Sequence, residues 1–193
     1  EWEMRRMFRR RADEAGQGES FDCIIATGPN SSKCHHHPGD RVLGARDTLL
    51  IDTGVLVGGY HSDLTRTVFF GPPPARMREI YKVVLEANRR AIAAIRPGRT
   101  GGDIDRIARG VIERAGYGRR FGHGLGHGVG LQIHERPSFA KDNKMALRAG
   151  ALMTVEPGIY LPGVGGVRIE DIVLVTRRGC EVLSRTPKTL TVL

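Results

Sequence analysis

The sequence predicts an α+β fold, and three observations lead there. Two amphipathic helical stripes stand side by side in the middle of the chain, at residues 75–95 and 100–116. Strand-like segments, broken by glycine and proline, lie on both sides of them. No internal repeat and no low-complexity linker divides the 193 residues, so a single core is expected. Helices enclosed between sheet segments are the pattern of α+β architecture.

The elements follow in order. Residues 1–16 read as an amphipathic helix that ends near Gly16, with Trp2, Met4, Met7 and Phe8 set among Arg5, Arg6, Arg9, Arg10 and Arg11. Residues 21–26 form a short apolar strand. Residues 28–40, GPNSSKCHHHPGD, are a loop rich in turn residues. Residues 49–57 and 63–70 read as two strands around Gly58-Gly59, a hairpin signal. The run from Gly71 to Pro74 breaks the chain. In the helix at 75–95, Ile80, Val84, Ala87, Ala91 and Ile95 share one stripe, and Arg96-Pro97-Gly98 stops it. Thr100 and Asp103 make a capping-box pattern for the next helix. Ile104, Ile107, Ala108, Val111, Ile112 and Ala115 are its buried face, and Gly116 its C-terminal cap. Strands are predicted at 121–133, 150–160, 165–176 and 180–184. Both helical stripes are assigned to the core, with no function.

Composition narrows the function classes. The net charge is +9, but the 25 arginines and 5 lysines are spread along the chain. Solvated faces are expected from that spread, with nucleic-acid binding a minor expectation. No apolar run approaches the length that crosses a bilayer, and the arginine-rich start does not fit a signal peptide. Cys23, Cys34 and Cys180 are scattered, giving neither a disulfide framework nor a paired zinc motif. A reducing cytoplasm is the default expectation.

The chemistry concentrates in Asp52, Asp63, His127, Glu156 and Glu170. They supply four carboxylates and one imidazole, a set whose charge would balance two divalent cations. Oxygen-rich donors with a single nitrogen suit Mn²⁺, Co²⁺ or Zn²⁺. In IDTGVLVGGYHSDLTRT, Asp52 and Asp63 are equidistant from a point between Val57 and Gly58. A hairpin folded there sets the two carboxylates across from each other, where they repel unless a cation compensates. Taken alone, each aspartate is equally compatible with a turn-capping residue. In FGHGLGHGVG, glycine fills every even position from 122 to 130. An extended chain then presents His123, Leu125, His127 and Val129 on one face and bare backbone on the other. His134 has the opposite parity and reaches that space only if the chain turns after Gly130. In TVEPGIYLPGVGGVRIEDI, Glu156 and Glu170 flank a turn centred near Gly163. Arg168 shares the parity of Glu170 and is expected in the same pocket, while Asp171 is expected to face away. Solvent exposure is expected for His36 and His37.

IDTG with SDLTRT, HGLGHGVG with IHE, VEPGIY and GVRIED, in this order, resemble the pita-bread metallopeptidases: methionine aminopeptidase, Xaa-Pro aminopeptidase and Xaa-Pro dipeptidase (prolidase). The likeness covers nearly the whole chain from about residue 20. It implies a curved antiparallel sheet with helices packed on its outer face. It implies that Asp52, Asp63, His127, Glu156 and Glu170 are the ligands of two divalent ions, manganese first, cobalt or zinc next, with Asp63 and Glu170 bridging. His123, His134 and Glu156 take catalytic places. His35, His123, His134 and Arg168 take substrate-binding ones. The proline-specific branch fits better than the methionine-specific one. The expected activity is hydrolysis of the Xaa-Pro bond at a peptide N-terminus, as in Xaa-Pro aminopeptidase. Xaa-Pro dipeptidase is the alternative, and a non-catalytic binding module a further one. A peptide with proline in second position is the expected partner, and a homodimer is left open. Proline-specific relatives carry a separate N-terminal domain that this chain is expected to lack, along with the first helix of the catalytic domain. Residues 1–193 are read as one catalytic domain.

Overall fold

The structure, a computed structural model, describes residues 1–193. The first helix, α1 (Trp2–Ala15), sets Met4 and Phe8 against Cys23, Ile25 and Leu49. The strands beneath it are β1 (Ile24–Thr27) and β2 (Thr48–Thr53). Two short strands follow, β3 (Leu56–Val57) and β4 (Tyr60–His61), and then β5 (Leu64–Phe69). The first, second and fifth make an antiparallel sheet in the order β1-β2-β5. Alternation along these strands divides labour between the faces. Ile25 and Leu49 meet α1, while Ile24 and its cross-strand partner Asp52 face a cavity on the other side.

The first hairpin differs from its expected register. Asp52 pairs with Thr65, and the same register runs on through Leu56 with His61 and Val57 with Tyr60. The turn is therefore centred between Gly58 and Gly59, one residue later than the spacing of the aspartates suggested. Both glycines have positive φ (58° and 80°), which explains why the turn forms there. Moving the turn by one residue moves the pairing by two, the strand's own period. Asp63 therefore lies diagonal to Asp52 but keeps its face. The expected continuous strands are also interrupted. A Cβ at Gly54 would lie 1.9 Å from the Ser62 carbonyl oxygen, so the two backbones cross too closely for regular pairing.

Two helices follow, α2 (Ala75–Ala94) and α3 (Gly101–Arg114). The capping box forms as expected, with Thr100 Oγ1 accepting from Asp103 N–H and Asp103 accepting from Thr100 N–H. Gly116 sits past the end of α3 with φ 83°. Gly116 N–H bonds the Glu113 carbonyl and Tyr117 N–H the Ile112 carbonyl, the paired closure of a left-handed helix end. Ile80, Val84, Ala87, Ala91, Ile104, Ala108 and Ile112 enter the main core with Leu125, Met153, Val155 and Val173.

The remaining strands are β6 (Gly126–Gly128), β7 (Glu135–Phe139), β8 (Leu152–Val155), β9 (Gly158–Leu161), β10 (Gly165–Arg168), β11 (Asp171–Val175) and β12 (Cys180–Val182). Five of them form a sheet in the order β12-β11-β8-β6-β7, and β9 pairs with β10. The expected strand at 121–133 shrinks to three residues, and β7 was not anticipated. The chain kinks at Leu125, whose side chain turns into the core between the two histidines. The close approach expected of the glycines does occur: a Cβ on Gly126 would lie 2.1 Å from the Thr154 carbonyl oxygen. The expected long strands at 150–160 and 165–176 each break in two. Their register nevertheless passes unchanged through the break, from Arg168 with Gly158 to Asp171 with Val155. Glu156 and Glu170 thus stand opposite each other where the ladder opens, around a turn at Gly163 (φ 75°).

Candidate metal centre

One cavity of about 360 Å³ lies between the three-stranded sheet and the broken hairpin. Asp52, Asp63, His127, Glu156 and Glu170 all line it, as do His35, His123, His134 and Arg168. The sequence-selected residues thus come from four separate stretches of chain into one space. The donor atoms of Asp63, His127 and Glu170 lie within 4.8 Å of one another. His127 Nε2 stands 3.6 Å from Asp63 Oδ2 and 3.5 Å from Glu156 Oε1.

The protonation state of His127 follows from its other nitrogen. Nδ1 lies 3.0 Å from the Gly128 carbonyl oxygen, which can only accept, so Nδ1 carries the proton. Burial holds this ring below the usual histidine range. A neutral ring then points the Nε2 lone pair at two carboxylates. That arrangement repels unless a cation stands between them.

The carboxylates tell the same story. Burial, then the charges of Glu170, Asp52 and Glu156, push Asp63 up to about 11. Burial and the Asp52 charge push Glu170 up to about 8. Burial and the Glu170 charge raise Glu156 well above the carboxylate range. Four acids this close cannot all ionise without positive charge among them. Two buried oxygens, Asp52 Oδ1 and Glu170 Oε1, have no hydrogen-bond partner. Their sister oxygens are occupied: Asp52 Oδ2 accepts from Arg168 Nη2 at 2.5 Å, and Glu170 Oε2 accepts from Thr65 Oγ1 at 2.7 Å. Each carboxylate is fixed by one oxygen and offers the other. Partnerless hard oxygens and an imidazole lone pair are what divalent cations require, so the residues present fit such ions.

Arg168 is a hub. Besides Asp52 it donates to Thr65 Oγ1, the Cys34 carbonyl and Tyr160 Oη. Tyr160 lies 2.9 Å from His123 Nε2, and His123 Nδ1–H donates to the Gly124 carbonyl. The tyrosine hydroxyl is therefore the donor to Nε2. Burial and the Arg168 charge lower His123 to about 4, which keeps it neutral. Tyr160 is a residue the sequence reasoning missed. Its parity with Glu156, Gly158 and the opposing Arg168 was the available signal.

The chain turns after Gly130 and brings the His134 ring to 4.3 Å from that of His127, at the exposed mouth. Asp171 turns away as expected, buried against Arg66 and Lys188. His37 is exposed, but His36 departs from its expected solvation: Nε2 meets Glu1 Oε2 at 2.9 Å. That carboxylate also accepts from Thr27, Asn30 and Gly39, which pins the histidine-bearing loop. Phe21, Ile24 and Ile133 supply apolar wall.

Comparison with known proteins agrees with this geometry. The model of metallopeptidase family M24 matches residues 1–177. An Xaa-Pro dipeptidase of Pyrococcus furiosus is 47% identical over 171 residues, which are 89% of this chain and 49% of that protein. The structure of an Xaa-Pro dipeptidase from Bacillus anthracis superposes with a TM-score of 0.98 at 42% identity, over all of this chain and 55% of that one. An X-Pro aminopeptidase from Thermotoga maritima gives 0.97 at 39%, with coverage of 100% and 55%. The chain spans about half the length of the curated relatives it matches. The α+β architecture is the pita-bread fold, and the chain belongs to metallopeptidase family M24, in its Xaa-Pro peptidase branch.

Proposed function

We propose that the chain is the catalytic domain of an exopeptidase that cleaves Xaa-Pro bonds with two divalent cations, and that it acts as a dipeptidase. The observation that carries the reading is the convergence of four carboxylates and one imidazole lone pair on a single cavity, with two buried carboxylate oxygens left free. Asp52, Asp63, His127, Glu156 and Glu170 would hold the ions, and manganese is the first choice. Bound there, the cations supply an electrophile for the scissile carbonyl and ionise water near neutral pH. The chain's own groups do the rest. Glu156, on the cavity wall 3.5 Å from His127 Nε2, receives a proton and hands it to the leaving nitrogen. His134, exposed at the mouth, donates to the oxygen that gains charge. Arg168 fixes Asp52, and through Tyr160 it fixes the ring of His123 against the substrate. The apolar wall of Phe21, Ile24 and Ile133 suits a proline ring. The Xaa-Pro amide has no N–H, and nothing in this arrangement needs one.

The aminopeptidase expectation gives way to the dipeptidase alternative. The relatives at 47% and 42% identity carry the dipeptidase name, and the X-Pro aminopeptidase stands at 39%. A dipeptidase must also hold the free carboxylate of the substrate, and His35 and His37 stand on the cavity wall with polar N–H groups to offer. Kinetics on an Xaa-Pro dipeptide and its Xaa-Pro-Yaa extension test the reading. We expect kcat/KM at least about tenfold higher for the dipeptide, a difference of about 1.4 kcal/mol in transition-state binding. Equal or better turnover of the tripeptide returns the assignment to aminopeptidase.

A further inference from the structure

The buried face of α2 carries a polar side chain, Asn88, which is fully buried. Its Nδ2 donates to the carbonyl oxygens of Val155 at 3.0 Å and Ile169 at 3.4 Å. These residues immediately precede Glu156 and Glu170. The ladder opens here because each glutamate directs its backbone N–H out of the hairpin, Glu156 to the Leu125 carbonyl and Glu170 to that of Thr65. Buried carbonyls at such an opening need partners from elsewhere. Asn88 provides them for the residues before both glutamates.

The carbonyl of Glu170 itself accepts from Arg66 Nη1, which also donates to Thr65 O. The other N–H groups of Arg66 reach Asp171 Oδ1 at 2.8 Å, Thr186 O at 2.7 Å and Pro187 O at 3.1 Å. All five donors of the guanidinium are used. Thr65 and Arg66 are neighbours on a strand and leave it on opposite faces. The pair therefore grips Glu170 by its carboxylate on one side and its backbone on the other. Lys188 Nζ closes the cluster, donating to Asp171 Oδ2 at 2.7 Å and Asn88 Oδ1 at 2.9 Å. The Tyr81 hydroxyl fastens the same segment through the Thr189 carbonyl.

We propose that Asn88, Arg66, Asp171 and Lys188 are positioning residues of the metal centre, and that residues 186–188 belong to that centre's architecture. The inference rests on the reading that Glu156 and Glu170 hold cations. Each glutamate backbone is locked from behind, so its carboxylate meets the ions without reordering. A buried polar cluster that only stabilised the core would lower the melting temperature when broken and leave cation affinity alone.

The test is calorimetric titration of the metal-stripped full chain with Mn²⁺, with circular dichroism to report the folded fraction. Lys188→Met and Asn88→Leu are expected to weaken Mn²⁺ binding about 10–100-fold while fully folded. Lys188→Arg, which keeps the charge, is expected to recover part of the loss. Asp63→Asn serves as the control that removes a ligand. If Asp63→Asn weakens binding but Lys188→Met binds Mn²⁺ as tightly as the parent and only melts lower, the cluster is core packing and the inference is overturned. If Asp63→Asn binds like the parent, or the parent takes up no Mn²⁺, the metal-centre reading fails and the inference falls with it. Should Asn88→Leu not fold, Lys188→Met decides, because it changes a side chain 21% exposed on a surface segment.

Discussion

His127 shows how much of the centre is settled by a single hydrogen bond. The Gly128 carbonyl takes the Nδ1 proton, so the lone pair must project from Nε2 toward Asp63 and Glu156. Backbone geometry thus chooses the tautomer, and the tautomer chooses which nitrogen could bind a cation. The neighbouring ring of His134 has a different place: it stands edge-on to His127 at the exposed mouth. The two histidines should therefore separate in a pair of substitutions. His127→Ala is expected to lower metal occupancy measured by elemental analysis. His134→Ala is expected to leave the metal in place and cut kcat by about 10²–10³-fold. A His127→Ala protein that retains full occupancy would remove the ring from the ligand set. Full turnover by His134→Ala would remove that residue from the reaction.

Two opened hairpins are the working elements. Strand pairing is abandoned at Asp63, Glu156 and Glu170, and in each hairpin the register survives the gap. At Glu156 and Glu170 the ladder opens because the backbone N–H groups are called to neighbouring segments. The side chains are then free to turn inward while the flanking pairs hold them opposite each other. The glycines between the histidines serve a related purpose. Gly126 lets β6 approach β8 so closely that a methyl group has no room beside the Thr154 carbonyl. Gly126→Ala should cost about 1–3 kcal/mol, since backbone must move to admit the new carbon. Denaturant unfolding with an unchanged midpoint would show the approach to be looser. Asn88 carries the same lesson for helices: a position on an apolar stripe can serve the site through its backbone neighbours.

At the scale of the molecule, crowding of acids ties stability to pH. Glu170 is raised from 4.5 to about 8, and Asp63 from 3.8 to about 11. In the metal-stripped protein the folded state keeps these protons while the unfolded chain releases them. Stability from this source is thus whole below the ordinary carboxylate range and declines as pH climbs toward 8. Glu1, pulled down to about 2 by His36, Thr27, Gly39 and Asn30 against the effect of burial, acts below that window. The melting temperature of the stripped protein should fall between about pH 7 and 8, above the range in which the neutral buried His123 and His127 add stability as pH rises. Added Mn²⁺ should restore it most at the upper end, because cations replace the protons. A melting temperature that is flat or rising with pH in that window would mean that the carboxylates do not share one field. No helix of the chain is long and apolar enough to cross a membrane.

The sequence by itself determined the helices and the chemistry. Thr100, Asp103 and Gly116 wrote the ends of α3 in local capping rules, and the parity of Glu156, Arg168 and Glu170 placed them on one face, because side-chain direction along a strand alternates whatever the strand packs against. It also singled out Asp52, Asp63, His127, Glu156 and Glu170, which the fold brings to one cavity, since their types and order are a property of the chain. Only the tertiary structure decided where strands stop, which nitrogen of His127 faces the acids, and that Tyr160, Asn88, Arg66 and Lys188 stand behind them. Those outcomes depend on contacts between residues as far apart as 65 and 170. A hydrogen bond across that distance leaves no periodicity in either segment.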